Sequence, residues 1–410
     1  MNVPIGWTRG LATVTGVPVE QIATTFGTPV FVYDGGRIRD QFRLLAQELT
    51  HRPLEIYYSV KANSAVGILR LLRTFGARAD ICSSGDLAFA EAAGFAPHEV
   101  SFTGSGLTDD EYGLIATRPG MDFVADSLHQ LARVVEMAPG RPVGLRLNPA
   151  IEAGFHPHVR AGSATSRFGL RLDQISEAVD LAAAWESPIV GLHGHLGSDV
   201  FDVTPFLELT RQLCALAAEI PSVRWINLGG GLGNPADPEV DQSQLRALDS
   251  GLAEILRLFD RPLQLRVEPG SFLTMSSGLL VARVTDVKAG PGPDSGTICV
   301  DASTNHLVSA ILYDAHHPVS VVRVPTSDVT MTYDIAGNLM QAGDVLARGR
   351  QLPKVEIGDL LAFGRCGAYS SSRSTTFNNR GRPAEVLVLD GSTRLLRRRE
   401  EPADLLRFDS

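Results

Sequence analysis

Short runs of β-branched and other apolar residues recur along the first 275 residues, and each run closes on small or polar residues. There are nine such runs, at residues 29–34, 54–63, 79–86, 100–106, 121–127, 142–149, 189–198, 224–233 and 263–271. The stretches between them carry apolar residues at three- and four-residue spacing, which predicts helices. Strands that alternate with helices this often indicate a parallel sheet. About eight such units in ~240 residues favour a (β/α)8 TIM barrel over an open sheet, with one run outside the barrel.

The pattern changes near residue 275. Beyond it, short segments alternate or run apolar between Gly, Pro and Asp residues, which is typical of antiparallel β structure. We therefore predict an α/β barrel over residues 31–275 and a C-terminal antiparallel β domain over residues 276–410. The first 30 residues, which include LATVTG, are expected to contribute a strand to the β domain.

Composition narrows the class of protein. The 410 residues are 44% apolar and carry a net charge of −9, which argues against a broad basic surface for nucleic acid. The four cysteines are far apart and form no CxxC pair, so neither a zinc framework nor a disulfide scaffold is expected. No run approaches the ~18 apolar residues of a membrane span, and no signal peptide is recognisable. These features predict a cytoplasmic protein that binds no nucleic acid and no membrane.

The strand ends carry the candidate chemistry, because catalytic residues of such barrels gather at the C-terminal ends of their strands. Lys61 closes the apolar run 54–63, and a desolvated lysine is a candidate for a Schiff base. Glu268 closes the last run and could hold a protonated ring nitrogen, although a loop-capping acid is commoner. Gly229, Gly230 and Gly231 could let backbone N–H groups approach a phosphate, although a tight turn is the commoner reason for such a run.

Two histidines, His193 and His195, lie two positions apart on one predicted strand and so point to the same side. Two interpretations compete: one imidazole stacks on a planar cofactor, or the pair ligates a metal ion. The metal interpretation requires further ligands, and neither a cysteine pair nor an HExxH motif supplies them. We therefore predict no metal site.

A lysine, a glycine run, an acid and a histidine together suit pyridoxal phosphate. The motifs that extend this set are YSVKAN, DICSSGD, LRLNP, SRFGL, GLHGHLGS, LGGGLG, EPG, LYDA, GAYS and FNNRGRPAE. With them the chain resembles the fold-type III pyridoxal-phosphate decarboxylases, the family of diaminopimelate and ornithine decarboxylases. The resemblance runs in order from about residue 28 to residue 388. It implies a barrel like that of alanine racemase and a head-to-tail homodimer in which the partner's β domain completes each active site.

The resemblance also implies roles for individual residues. Lys61 matches the lysine that carries the cofactor, His195 the histidine stacked on its ring, and Glu268 the acid on its pyridine nitrogen. An acid at that nitrogen favours decarboxylase over racemase chemistry. Further cofactor contacts are implied at Asp80, Arg146, Ser198, Gly229, Gly230, Gly231, Gly270 and Tyr369.

Departures from the family pattern bear on the substrate. Ser271 and Ser309 stand where diaminopimelate decarboxylases carry arginines for the distal carboxylate, and Gln341 replaces a glutamate that reads the distal ammonium. Each lost arginine removes charge-assisted hydrogen bonds of about 1.5–3 kcal/mol. We therefore expect an amino acid other than diaminopimelate, with a neutral, apolar or carrier-tethered end, in a specialised biosynthetic pathway. The expected substrate-binding residues are Ser271, Ser309, Tyr313, Met340, Gln341 and Tyr369, with Arg365 and Arg373 as possible replacement cations.

The proton donor is altered as well. Met340 stands at the family's cysteine, and a thioether cannot donate a proton. Cys366 is the thiol nearest in sequence to a cofactor motif and is a candidate replacement, although a buried structural cysteine is the commoner case. The alternatives are other chemistry of the same cofactor, such as epimerisation or an interrupted decarboxylation, an inactive family member, and a non-catalytic pyridoxal-phosphate-binding protein. A metal-dependent barrel hydrolase would rest on the two histidines alone.

Overall fold

The computed structural model describes residues 5–8, 11–154, 156, 160–234, 238–324 and 329–409. The strands within these ranges are β1 (Gly6–Thr8), β2 (Leu11–Val14), β3 (Val17–Pro18), β4 (Val30–Asp34), β5 (Leu54–Ser59), β6 (Arg78–Ile81), β7 (Val100–Phe102), β8 (Asp122–Ala125), β9 (Val143–Leu147), β10 (Ile189–Gly194), β11 (Trp225–Asn227), β12 (Gln264–Val267), β13 (Gly278–Ala289), β14 (Ser295–Val300), β15 (Val319–Val321), β16 (Thr330–Ala336), β17 (Val345–Pro353), β18 (Leu360–Phe363), β19 (Ala384–Leu389) and β20 (Ser392–Arg397).

The α-helices of the same ranges are α1 (Val19–Phe26), α2 (Gly35–Glu48), α3 (Val66–Thr74), α4 (Ser84–Ala93), α5 (Asp109–Ala116), α6 (Leu128–Met137), α7 (Ile175–Ala184), α8 (Thr204–Glu219), α9 (Pro238–Leu256), α10 (Ser271–Thr274), α11 (Val308–Leu312) and α12 (Pro402–Leu405). No helix in the described part of the chain has the length and apolar character needed to cross a membrane. The chain divides into two compact units, one of residues 40–272 and one of residues 1–39 with 273–410.

The unit of residues 40–272 contains a closed barrel of eight parallel strands in the order β10-β11-β12-β5-β6-β7-β8-β9. Eight of the nine apolar runs form these strands, and the predicted fold class is confirmed. Helices follow the strands, and their apolar faces are buried. In α3, for example, Ile68, Leu69 and Leu72 are buried. Polar caps begin several helices, as at Ser83, whose hydroxyl accepts the N–H of Asp86 at the start of α4.

An indole ring fills the space beside two barrel strands that carry glycine. Trp225 of β11 lies opposite Gly191 of β10, which pairs in turn with Gly144 of β9. A Cβ atom on Gly191 would overlap the indole ring, and one on Gly144 would lie 2.7 Å from its Cη2 atom. The two glycines therefore make room for the buried tryptophan.

Replacing Gly191 by alanine should destabilise the protein, because the added methyl group overlaps a ring that close packing holds in place. We expect a loss of about 1–3 kcal/mol in the free energy of unfolding, measured by urea denaturation. Gly113→Ala is the matched control, since a Cβ atom there meets no atom within 4 Å. Equal stability of the Gly191→Ala and Gly113→Ala proteins would contradict this packing argument.

The other unit is built on a nine-stranded sheet with the path β17-β16-β14-β13-β4-β19-β20, while β18 pairs with β13 and β15. Most of its pairs are antiparallel, as the alternating pattern predicts, but β14 pairs with β16 and β4 with β19 in parallel. The ninth apolar run forms β4 and thus belongs to this sheet, outside the barrel. Strands β1–β3 pair with one another in a small separate sheet. Apolar residues of β2, β4, β13 and β19 share one buried cluster.

Candidate active site

The first feature of the barrel unit is a pair of opposite charges beyond strand β5. The strand ends at Ser59, and Lys61 follows in a short 3-10 turn. Its Nζ atom lies 3.1 Å from Oδ2 of Asp80, and the side chains of Lys61 and Asp80 are 45% and 1% exposed. The Ser59 hydroxyl donates to the same Asp80 oxygen at 2.8 Å. Burial, followed by the negative charge of Glu268, raises the pKa of Asp80. The positive charge of Lys61 acts in the opposite direction and lowers this pKa.

A second buried acid, Glu268, follows strand β12. Two side chains on neighbouring strands donate to its carboxylate: Asn227 Nδ2 to Oε1 at 2.7 Å, and His193 Nε2 to Oε2 at 3.1 Å. Burial raises the pKa of Glu268, but the charge and hydrogen bond of His193, followed by the charge of Lys61, outweigh it. The pKa therefore lies below the usual glutamate range, and the buried carboxylate is ionised.

His195, which directly follows strand β10, has a different environment from His193. Its Nδ1 atom accepts the backbone N–H of Gly230 at 3.2 Å, so Nδ1 carries no proton. Burial, and then the charges of Arg146 and Lys61, lowers the pKa of His195 to about 3. The ring is therefore a neutral imidazole held by the glycine run.

The glycine run after strand β11 approaches other backbone segments so closely that side chains do not fit. A Cβ atom on Gly230 would overlap the carbonyl of Glu268, and one on Gly231 would overlap that of Gly197. Gly229 and Gly231 have φ angles of 67° and 97°, which favour glycine. The run is therefore packed backbone against backbone beside His195, which requires glycine at these positions.

Three further predicted cofactor contacts also lie in the barrel unit. Arg146 of β9 is buried, pairs with Asp126 Oδ1 at 3.3 Å, and stacks over the Phe168 ring at 4.6 Å. Burial lowers its pKa, against the charge of Asp126. Ser198 follows β10, and Gly270 follows β12. The contacts of Arg146, Ser198 and Gly270 with a cofactor stay predictions.

Two predicted tyrosines lie in the sheet unit beside an arginine. The guanidinium of Arg373 lies 5.5 Å from the ring centroid of Tyr313 and 5.3 Å from that of Tyr369. It donates to the Tyr313 hydroxyl at 2.8 Å. Tyr369 has a φ of 55°, a conformation that costs energy in a residue with a side chain. Tyr313, Tyr369 and Arg373 therefore form one cluster, and their role at the substrate stays a prediction.

The other predicted substrate residues are dispersed. Met340 is 93% exposed, and its backbone N–H donates to Asn378 Oδ1 at 2.9 Å. Gln341 is also exposed. The Ser309 hydroxyl lies 2.9 Å from Nε2 of the buried His317. Ser271 begins the short helix α10 and is partly exposed.

Cys366 does not suit the role of proton donor. It has no exposed surface, and its thiol donates to the carbonyls of Phe363 and Gly364 at 3.2 and 3.3 Å. Burial raises the pKa of Cys366 to about 12. The geometry is that of a structural cysteine, so we correct the expectation that Cys366 returns the proton.

Sequence reasoning missed the groups that hold the two acids. Asn227 lies two residues before the glycine run and was not singled out, although its position on β11 next to β12 predicts a neighbour of Glu268. Ser59, two residues before Lys61, was not singled out either. His193 was considered only as a metal ligand or a ring-stacking residue. Within the described ranges, no group of three or more His, Cys, Asp or Glu side chains is arranged to hold a metal ion.

Comparison with known proteins gives one consistent result. Residues 35–275 match the model of the pyridoxal binding domain of pyridoxal-dependent decarboxylases. Diaminopimelate decarboxylase of Pseudomonas aeruginosa is 35% identical over 407 residues, covering 96% of each chain. The enzyme of that name from Methanothermobacter thermautotrophicus is 33% identical over 416 residues, covering 97% of this chain and 95% of the relative.

A solved structure agrees with these relatives over nearly the full length. Diaminopimelate decarboxylase from M. jannaschii, in complex with L-lysine, superposes with a TM-score of 0.89 at 28% sequence identity. The match covers 99% of this chain and 97% of that one. The similarity therefore extends over both units of the chain.

Proposed function

Because this chain belongs to the pyridoxal-dependent decarboxylase family, we propose that it decarboxylates diaminopimelate with pyridoxal phosphate held at Lys61. The protein is a pyridoxal-phosphate-dependent amino-acid decarboxylase. The observation that supports the activity is the buried, ionised Glu268 in the same barrel as Lys61. The relatives' names support the choice of substrate.

The expected substrate other than diaminopimelate is wrong. Relatives 33% and 35% identical over almost the whole chain are diaminopimelate decarboxylases, and a similar structure was solved with L-lysine. The expectation rested on the serines at 271 and 309. An arginine at a fixed position is only one way to bind a carboxylate. The loss of about 1.5–3 kcal/mol at each of two contacts weakens binding but does not by itself select another substrate. The expectations of a carrier-tethered substrate and of a specialised pathway are wrong for the same reason.

The barrel residues fit pyridoxal phosphate. Oδ1 of Asp80 is buried and has no hydrogen-bond partner within the described residues, so a donor from a ligand would satisfy it. The glycine run packs so closely against the backbone of Gly194, Gly197 and Glu268 that side chains are excluded from it. Glu268 offers a carboxylate to a ring nitrogen, and His195 offers a neutral, planar ring.

Each residue then has a definite task. Bound pyridoxal phosphate supplies an aldehyde that condenses with amines and a ring that withdraws electrons from the bond to the leaving carboxylate. Lys61 supplies the amine, and Asp80 pairs with its charge. Glu268 holds a proton at the ring nitrogen. Gly231 would offer its backbone N–H to the phosphate, since the N–H groups of Gly229 and Gly230 already donate to Asn227 and His195.

Diaminopimelate should yield lysine and carbon dioxide when given to the protein loaded with pyridoxal phosphate. We expect it to have the highest kcat/KM in a panel that includes lysine, ornithine and arginine, since the full-length relatives share that activity. Mass spectrometry identifies each product. Preferential decarboxylation of another panel member, with no lysine formed from diaminopimelate, would overturn the proposed substrate.

Two features of the sequence analysis stay predictions. One is the head-to-tail homodimer in which the partner's β domain completes each site. The other is the cytoplasmic location. The amino-acid substrate itself is supported by the family.

A further inference from the structure

The two histidines of the GLHGH motif hold different partners. His193 Nε2 lies 3.1 Å from Glu268 Oε2, whereas His195 Nδ1 accepts the N–H of Gly230 at 3.2 Å. His193 lies on β10, and His195 directly follows the end of that strand at Gly194. His193 therefore contacts an acid, whereas His195 contacts the backbone of a loop. Neither ring stacking nor metal binding explains the contact of His193 with the acid.

The proton of the His193 contact can be placed from chemistry. An ionised carboxylate only accepts hydrogen bonds, so Nε2 carries the hydrogen. Nδ1 is buried and has no partner among the residues that the structure describes. His193 therefore presents its Nε2–H to Glu268.

Asn227 provides the second donor to the same carboxylate. Its Nδ2 atom donates to Glu268 Oε1 at 2.7 Å, and its Oδ1 atom accepts the N–H of Gly229 at 2.9 Å. The two contacts fix which end of the amide faces the acid. Each oxygen of Glu268 thus has an N–H donor, and the Asn227 side chain links the acid to the glycine run.

We propose that His193 and Asn227 are positioning residues that keep Glu268 ionised and aimed at the ring nitrogen of the cofactor. The inference rests on the proposed function, because it assigns the surroundings of the same site. A buried carboxylate without donors would take up a proton, since burial disfavours its charged form. A protonated Glu268 would no longer hold a proton on the ring nitrogen, and the ring would withdraw electrons less strongly.

The test compares His193→Leu, which lacks the donor, with His193→Gln, whose amide can restore it. Apoprotein is loaded with pyridoxal phosphate labelled with 15N in the ring, and the ring nitrogen is observed by NMR. Wild type and His193→Gln should show a protonated ring nitrogen. His193→Leu should shift toward the neutral ring, bind an equal amount of cofactor, and lose about ten- to a hundredfold in kcat.

His306→Leu is the control for loss of a buried histidine, because His306 is 2% exposed and lies in the other unit. It should leave the ring-nitrogen signal unchanged. His193→Ala replaces His193→Leu if the latter does not fold. A protonated ring nitrogen and wild-type kcat in the donor-free variant would overturn the inference. The expected NMR shift without any turnover of diaminopimelate would instead refute the proposed substrate and leave the inference intact.

Discussion

Replacing Lys61 by alanine is expected to abolish the yellow, lysine-bound cofactor and to lower the rate of decarboxylation by about 10³-fold or more. The side chain of Lys61 is 45% exposed, and its amine lies 3.1 Å from the buried carboxylate of Asp80. No other lysine offers such a site. The chain contains three lysines, and both Lys288 and Lys354 are exposed residues of the sheet unit.

Borohydride reduction provides the measurement. It should attach the cofactor permanently to one residue, and peptide mapping should find the label on Lys61. Lys288→Ala is the matched control and should retain both colour and activity. A label on Lys288 or Lys354, or an unchanged absorbance spectrum in Lys61→Ala, would show that the site has been placed wrongly.

Replacing Glu268 by glutamine should lower kcat by about 10²- to 10³-fold while the cofactor stays bound. The neutral amide keeps the size of the side chain but cannot balance a charged ring nitrogen. Its amide group also presents a donor where Asn227 and His193 already donate. Steady-state kinetics and the ratio of cofactor to protein separate this effect from the loss of binding.

Glu219→Gln is the control for this change, because Glu219 is an exposed glutamate at the end of α8 in the same unit. It should have wild-type kinetics. An unchanged kcat in Glu268→Gln would remove the argument that this acid makes the ring an electron sink, and racemase chemistry would have to be reconsidered.

The fold was predictable because the barrel strands leave a strong local signal. Eight apolar runs that end in polar residues became the eight strands, and the spacing of the helices between them agreed. The ninth run, at residues 29–34, has the same local pattern but pairs with β13 and β19. The residues of a run do not specify strand partners so distant in sequence. The pattern of nine runs therefore predicted that one strand lies outside the barrel, but not which one.

Residues whose role follows from their chemical type could be predicted from the sequence. Residues whose role follows from their contacts in the fold were harder to predict. A lysine, an acid and glycines at strand ends indicated a cofactor. Asn227 and Ser59 were missed because amides and hydroxyls are common in many roles, and only the contacts of the fold single them out. The burial of Cys366 depends on the packing of the whole unit, so the sequence alone left open whether Cys366 is a structural cysteine or a proton donor.

The substrate was misjudged for a related reason. Ser271, Ser309 and Gln341 were compared one by one with a family pattern, and each difference is genuine. The affinity for a substrate is the sum of many contacts. Single substitutions therefore do not determine which substrate is bound. The similarity to diaminopimelate decarboxylases extends over 96–97% of the chain and therefore weighs more than these three positions.

The central claim is that the barrel site at Lys61 removes a carboxylate from diaminopimelate. Diaminopimelate labelled with 13C in its carboxyl groups tests this most directly, with mass spectrometry of both carbon dioxide and product. We predict that the wild-type protein releases labelled carbon dioxide together with an equal amount of lysine, and that Lys61→Ala releases neither. Equal release by Lys61→Ala, or no release by the wild type loaded with pyridoxal phosphate, would contradict the claim.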